Sequence, residues 1–205
     1  MSRALVLGGG GPVGIGWEAG FLSGLADAGV SLRDADLVFL SGVEWPETFR
    51  CTAFGLDSGQ FALWDRAAGV EVHRAVASSC SVPGLSPSVT IAGERYIDGG
   101  ARDMLNADLA VGHDRVVAVS CLVVDPPDGV VPDLLAGLLP DVRARIDELR
   151  STGSTVELVE PSDEVCELSG WGARFMDHAR TAAAYDAGVR QGVAEGARLG
   201  SFWSS

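Results

Sequence analysis

The sequence predicts a single α/β domain, and three observations carry that expectation. An apolar stretch, Arg3-Ala4-Leu5-Val6-Leu7, runs straight into Gly8-Gly9-Gly10-Gly11-Pro12-Val13-Gly14, the pattern of a buried strand turning into a helix. A second apolar stretch at residues 116–124, broken only by Ser120, reads as a central strand buried on both faces. The chain of 205 residues is 47% hydrophobic, which suits one domain with a substantial core.

Taken in order, residues 3–7 are the first strand. Residues 13–28 predict a helix with Ile15, Ala19, Leu22 and Leu25 on its apolar face and Gly29 as its stop. Residues 37–40 read as the second strand. Residues 50–54 and 60–64, around the turn Leu56-Asp57-Ser58-Gly59, predict a hairpin. A short helix at 70–79 and a loop at 81–88, with Pro83, Gly84 and Pro87, lead to a second hairpin at 89–92 and 95–97 that delivers Asp98. After the strand at 116–124 come an amphipathic helix at 134–149, a strand at 155–159, and an alanine-rich helix at 173–199 loosened by Gly188, Gly192 and Gly196. No internal repeat or linker-like stretch divides the chain, so residues 1–205 are expected to form one domain.

Composition excludes several function classes. A net charge of −13, from 28 acids against 15 bases, argues against nucleic acid and strongly anionic membrane surfaces. Every base is arginine, and a chain without lysine has no Walker A loop, no pyridoxal Schiff base and no serine–lysine dyad. Cys51, Cys80, Cys121 and Cys166 form no C-x-x-C pair and predict scattered reduced thiols rather than a metal site. No apolar run approaches the length of a membrane span, and no basic-then-apolar leader opens the chain, so a cytoplasmic protein is expected. Membrane contact should be at most transient; Phe202-Trp203 is a tail pair expected to pack on the domain or hang free.

Glycines admit positive φ and leave no side chains in the way, so the Gly8–Gly14 turn can aim several N–H groups at one point, beside the positive end of the following helix. That is an anion site. Gly9-x-Gly11-x-x-Gly14 fits a dinucleotide fingerprint, and the same geometry could stabilise the oxyanion of an acyl transfer. The dinucleotide reading wants an acid at the end of strand two, whereas Glu44 lies past that strand.

Downstream, Gly93-Glu94-Arg95-Tyr96-Ile97-Asp98-Gly99-Gly100 places an acid at a strand end before two glycines, preceded by Ala77-Ser78-Ser79-Cys80-Ser81-Val82-Pro83-Gly84. With the glycine turn, these segments resemble the patatin-like phospholipases over residues 2–40 and 52–120. The resemblance implies a three-layer α/β sandwich, a mostly parallel sheet with helices on both faces. It implies ester hydrolysis of a phospholipid or other acyl lipid through an acyl-enzyme, without metal or cofactor. In that family the glycine loop, here Gly9, Gly10, Gly11 and Gly14, forms the oxyanion hole, and the acid of D-G-[GA], here Asp98, is the only partner of a serine in G-x-S-x-G.

G-x-S-x-G occurs nowhere in the chain. Ser41 stands at the expected position after strand two, with Phe39 and Val43 where the motif has glycines that a tight strand-to-helix turn needs. Glu44-Trp45-Pro46 then carries no elbow helix far, because residues before proline are biased away from the helical region. The elbow helix after residue 42 is absent from the sequence, which predicts a weak or inactive hydrolase. Three alternatives stay beside the Ser41–Asp98 dyad. One is a non-catalytic acyl-ligand or partner-binding module, another a dinucleotide-binding oxidoreductase. The third is a Ser41, Asp98 and His113 or His178 order as in other α/β-hydrolases. Ser86 resembles an elbow still less, because Pro87 would sit inside the turn.

Overall fold

The computed structural model describes residues 2–32 and 45–204. In chain order they form β1 (Arg3–Leu7), α1 (Gly11–Asp27), β2 (Cys51–Gly55), β3 (Phe61–Trp64), α2 (Val72–Ser79), β4 (Val89–Ile91), β5 (Glu94–Asp98), β6 (Arg115–Val119), α3 (Asp133–Ala136), α4 (Leu139–Ser151), β7 (Thr155–Val159), α5 (Asp163–Ser169) and α6 (Thr181–Ser204). Single 3-10 turns occupy Gly99–Ala101, Ala107–Ala110 and His178–Arg180.

β1, β6 and β7 make a parallel sheet with β6 in the middle. Side chains alternate across it, and both faces are apolar. Leu5, Val117, Val119 and Val159 bury against Trp17, Phe21 and Leu25 of α1 and Leu199 of α6. Ala4, Val6, Val116 and Ala118 bury against Val142, Ile146 and Leu149 of α4 and Leu105. A sheet apolar on both faces needs helical cover on both, which gives the expected sandwich. The two hairpins form where the sequence places them, but they also join along β2–β5 into a four-stranded antiparallel sheet ordered β3-β2-β5-β4. Its cover is α2, over a small core of Phe49, Cys51, Val72 and Ala75.

Several boundaries differ from the sequence reading. β6 stops at Val119, and just beyond it the Ser120 hydroxyl donates to the Leu122 carbonyl and accepts the Leu122 N–H, turning the chain out of the sheet. The helix expected at 134–149 is two, broken at Gly137-Leu138 and restarted with Pro140 in the first turn of α4. The long C-terminal helix starts at Thr181 rather than 173: Gly170 caps α5 at positive φ, Trp171 and Gly172 continue the turn at positive φ, and a 3-10 turn at His178–Arg180, capped by Asp177, precedes α6.

The buried side of α1 is Val13, Trp17, Phe21 and Leu25; Ile15 is 60% exposed, so the apolar face read from the sequence is rotated. The reason is α6. Its Gly188 and Gly192 do not loosen it but let its backbone touch that of α1: a side chain on either would collide with the Trp17 or Phe21 carbonyl. Gly20 and Gly24 return the contact against Tyr185 and Val189. At the C-terminus, Trp203 is buried, and Arg3 and Arg115 lie over the Trp203 and Phe202 rings at 5.4 and 5.5 Å. Among the described residues no helix is long and apolar enough to cross a membrane.

Candidate active site

β1 runs parallel to β6 with Leu7 opposite Val119, so the glycine turn leaves the sheet at the carboxyl ends of its strands, where open α/β sheets carry their sites. Four hydrogen bonds set its shape. The Gly8 N–H donates to the Val119 carbonyl at 2.8 Å and the Gly9 N–H to Met104 at 3.0 Å. The Val13 N–H donates to Phe175 at 3.2 Å, and the Gly14 N–H donates to Gly10 at 2.8 Å, the first helical bond of α1. Gly11 sits at φ +56°, a conformation that favours glycine. The Gly10 and Gly11 N–H groups have no partner among the described residues, and both lie at the positive end of the 17-residue α1.

Beneath the turn lies Cys121. A Cβ on Gly10 would come 2.5 Å from its sulfur, and one on Gly14 2.8 Å. The glycines at 10 and 14 therefore clear room for a thiol as well as leaving the outer side open. Cys121 also reaches the Gly8 carbonyl at 3.8 Å and is coupled electrostatically to Glu18, one helical turn beyond Gly14. Burial pushes the Glu18 carboxyl up to about 8, partly offset by Cys121 and the Gly8 backbone. Burial and the neighbouring acid raise the Cys121 thiol well above the usual range, which leaves it un-ionised and inert.

Asp98 ends β5, opposite Ala53 of β2, and its N–H donates to the Ser81 carbonyl at 3.0 Å. Its carboxylate accepts the Gly100 N–H at 2.7 Å. Burial raises its pKa above the ordinary carboxylate range in spite of that bond, which makes it a stronger base than a free aspartate. The nearby Cys80 thiol is raised in turn, first by burial and then by the Asp98 charge. Gly99 lies flat on Thr52, where any side chain would collide.

From Asp98 the chain returns to the glycine turn within six residues. The Asp103 carboxylate accepts the Leu105 N–H at 2.8 Å and also the Asn106 N–H, closing a loop in which Asn106 takes φ +50°. Arg102 pairs with Asp108 at 2.7 Å, donates to Asn106 at 2.8 Å, and stacks over Phe61 at 4.4 Å. In the middle of this braced loop the Met104 carbonyl receives the Gly9 N–H. The two motifs that the sequence separates by more than eighty residues are thus joined by one short segment.

The other candidates fall elsewhere. His113 precedes Arg115, which pairs with Arg3 at the opposite end of the parallel sheet, roughly 13 Å of strand away from the turn. Its ring bonds the Ala110 carbonyl at 3.0 Å. His178 is exposed in the turn before α6, and Ser86 is exposed in the 81–88 loop with its N–H on Val82. Ser41, the strand at 37–40, Phe39, Val43 and Glu44 lie outside the described residues. Glu18, Arg102, Asp103 and Met104 were not singled out by the sequence, and Cys121 was read only as a scattered thiol; the one available signal was an acid, Glu18, among the apolar residues of the helix's first turns.

Residues 33–111 match the family model described as patatin-like phospholipase. Over that segment the chain is similar to the patatin-like phospholipases. The match takes in Ser41, β2 to β5, Asp98 and the braced loop, while the glycine turn lies before it and β6 after it. No curated protein matches the chain. The matched segment contains Asp98, and the glycine turn follows β1 of the parallel sheet outside it.

Proposed function

We propose that this patatin-like chain is a lipid acyl hydrolase working through Ser41 and Asp98. The observation that carries the reading is the Gly9–Met104 bond, which brings the acid motif to the turn whose Gly10 and Gly11 N–H groups are unspent among the described residues. In the reaction, the Ser41 oxygen attacks the ester carbonyl carbon while its proton passes to the Asp98 carboxylate. The carbonyl oxygen takes the negative charge and is stabilised by the Gly10 and Gly11 N–H groups, with Gly9 and Gly14 holding the turn. As the intermediate collapses, the alcohol leaves with the proton, and water then hydrolyses the acyl-serine by the same sequence. The missing glycines around Ser41 keep turnover low, because a nucleophile held loosely forfeits orders of magnitude.

The test is treatment with a fluorophosphonate, mapping of any adduct by mass, and hydrolysis of p-nitrophenyl esters by wild type and Ser41→Ala. Labelling at Ser41 with slow turnover that Ser41→Ala abolishes supports the proposal. Absence of labelling together with tight fatty-acid binding refutes it in favour of an acyl-ligand binding module.

A further inference from the structure

Gly14 and Glu18 stand four residues apart on α1, so both face Cys121, one above the other. Glu18 is 7% exposed, and its Oε1 has no hydrogen-bond partner among the described residues. A buried acid with an unsatisfied oxygen is costly. Among the described residues the groups that act on it are the Cys121 thiol and the Gly8 backbone, and α5, α6 and the 178–180 turn, which also pack on α1, bring no cation to it. Both of its partners are also walls of the glycine turn, since Cys121 fills the space under Gly10 and Gly14 and Gly8 begins the turn.

We propose that Glu18 is a positioning residue for the glycine turn, acting through Cys121 and the Gly8 backbone, and that its carboxyl proton governs how the turn presents the Gly10 and Gly11 N–H groups. With the proton on, the carboxyl is neutral and the turn faces outward with its full positive character. With the proton off, an unscreened negative charge lies behind the same N–H groups. It draws them inward and opposes any anion in front. Burial places this change at about 8, inside the range in which an enzyme works. The inference rests on reading the turn as the oxyanion site, and it gives that site a built-in alkaline limit.

The experiment follows backbone 13C shifts of Gly8, Gly10 and Gly14 and the Glu18 side-chain carboxyl carbon of the full chain from about pH 6 to about pH 9. The expected result is one shared transition near 8 in all four, with the glycine transitions absent in Glu18→Gln. Glycine shifts that stay flat, or that titrate unchanged in Glu18→Gln, overturn the proposal. Should Glu18→Gln fail to fold, the wild-type curves decide: a Glu18 midpoint differing from that of the glycines overturns it equally. Shared titration in a chain without ester turnover supports the positioning role and refutes only the hydrolase reading.

Discussion

The Gly9 N–H donates to the Met104 carbonyl at 3.0 Å, and through this bond the glycine turn at the end of β1 is held by the loop that begins at Asp98. Neither partner is a charged group or a large side chain. The contact works because a parallel sheet delivers the turn at one edge, and Asp103 and Arg102 brace the loop against that edge.

Asp98→Asn should abolish ester hydrolysis while leaving the fold in place. The amide oxygen still accepts the Gly100 N–H, so thermal stability should move by less than about 1 kcal/mol. Loss of the general base should cost about a hundredfold or more in turnover. Wild-type turnover should rise with pH through a midpoint above the ordinary aspartate value, because burial raises Asp98. Equal rates for wild type and Asp98→Asn in a p-nitrophenyl ester assay would remove Asp98 from the mechanism.

Gly14→Ala should destabilise the chain by about 1–3 kcal/mol, since its methyl would lie 2.8 Å from the Cys121 sulfur. Adding Cys121→Ala should return much of that loss, as the remaining Cβ would lie at 3.4 Å. Denaturant melts of the two single variants and the double variant measure the coupling; strict additivity would show that the thiol does not set the spacing.

Stability should fall as pH rises from about 4.5 to about 8. Across that window the folded chain keeps a proton on Glu18 that the unfolded chain releases. The contribution is fully present below the unfolded value and is lost as pH passes the folded one, with a slope of at most about 1.4 kcal/mol per pH unit. Glu18→Gln should flatten this slope in melts taken across the window; an unchanged slope would mean that Glu18 ionises freely.

Gly188→Ala should be among the costliest single-methyl additions in the protein, at about 3 kcal/mol. The added carbon meets the Trp17 carbonyl and the Phe21 nitrogen, which are backbone atoms and cannot rotate away. A melting temperature within about 2 °C of wild type would show that α1 and α6 can separate without penalty.

The sequence by itself determined the α/β class, the middle place of β6, both hairpins and the position of Asp98 at a strand end. Each of these is written in local periodicity or in the residues of a turn, so neighbours along the chain suffice. It also marked Gly9, Gly10, Gly11 and Gly14 as one turn, but not what each glycine does there. Only the tertiary structure decided that Gly9 spends its N–H on Met104, that Gly10 and Gly14 make room for Cys121, and that His113 lies at the end of the sheet opposite the glycine turn. The face of α1 misread from Ile15 and the supposed loosening of α6 have the same origin. Glycine carries no hydropathy signal, so the face it creates by close helix approach is invisible until the partner helix is present. Glu18 is the sharpest case: an acid reads as surface along the chain, and only the packing of Cys121 and Gly8 around it makes it a buried acid behind the glycine turn.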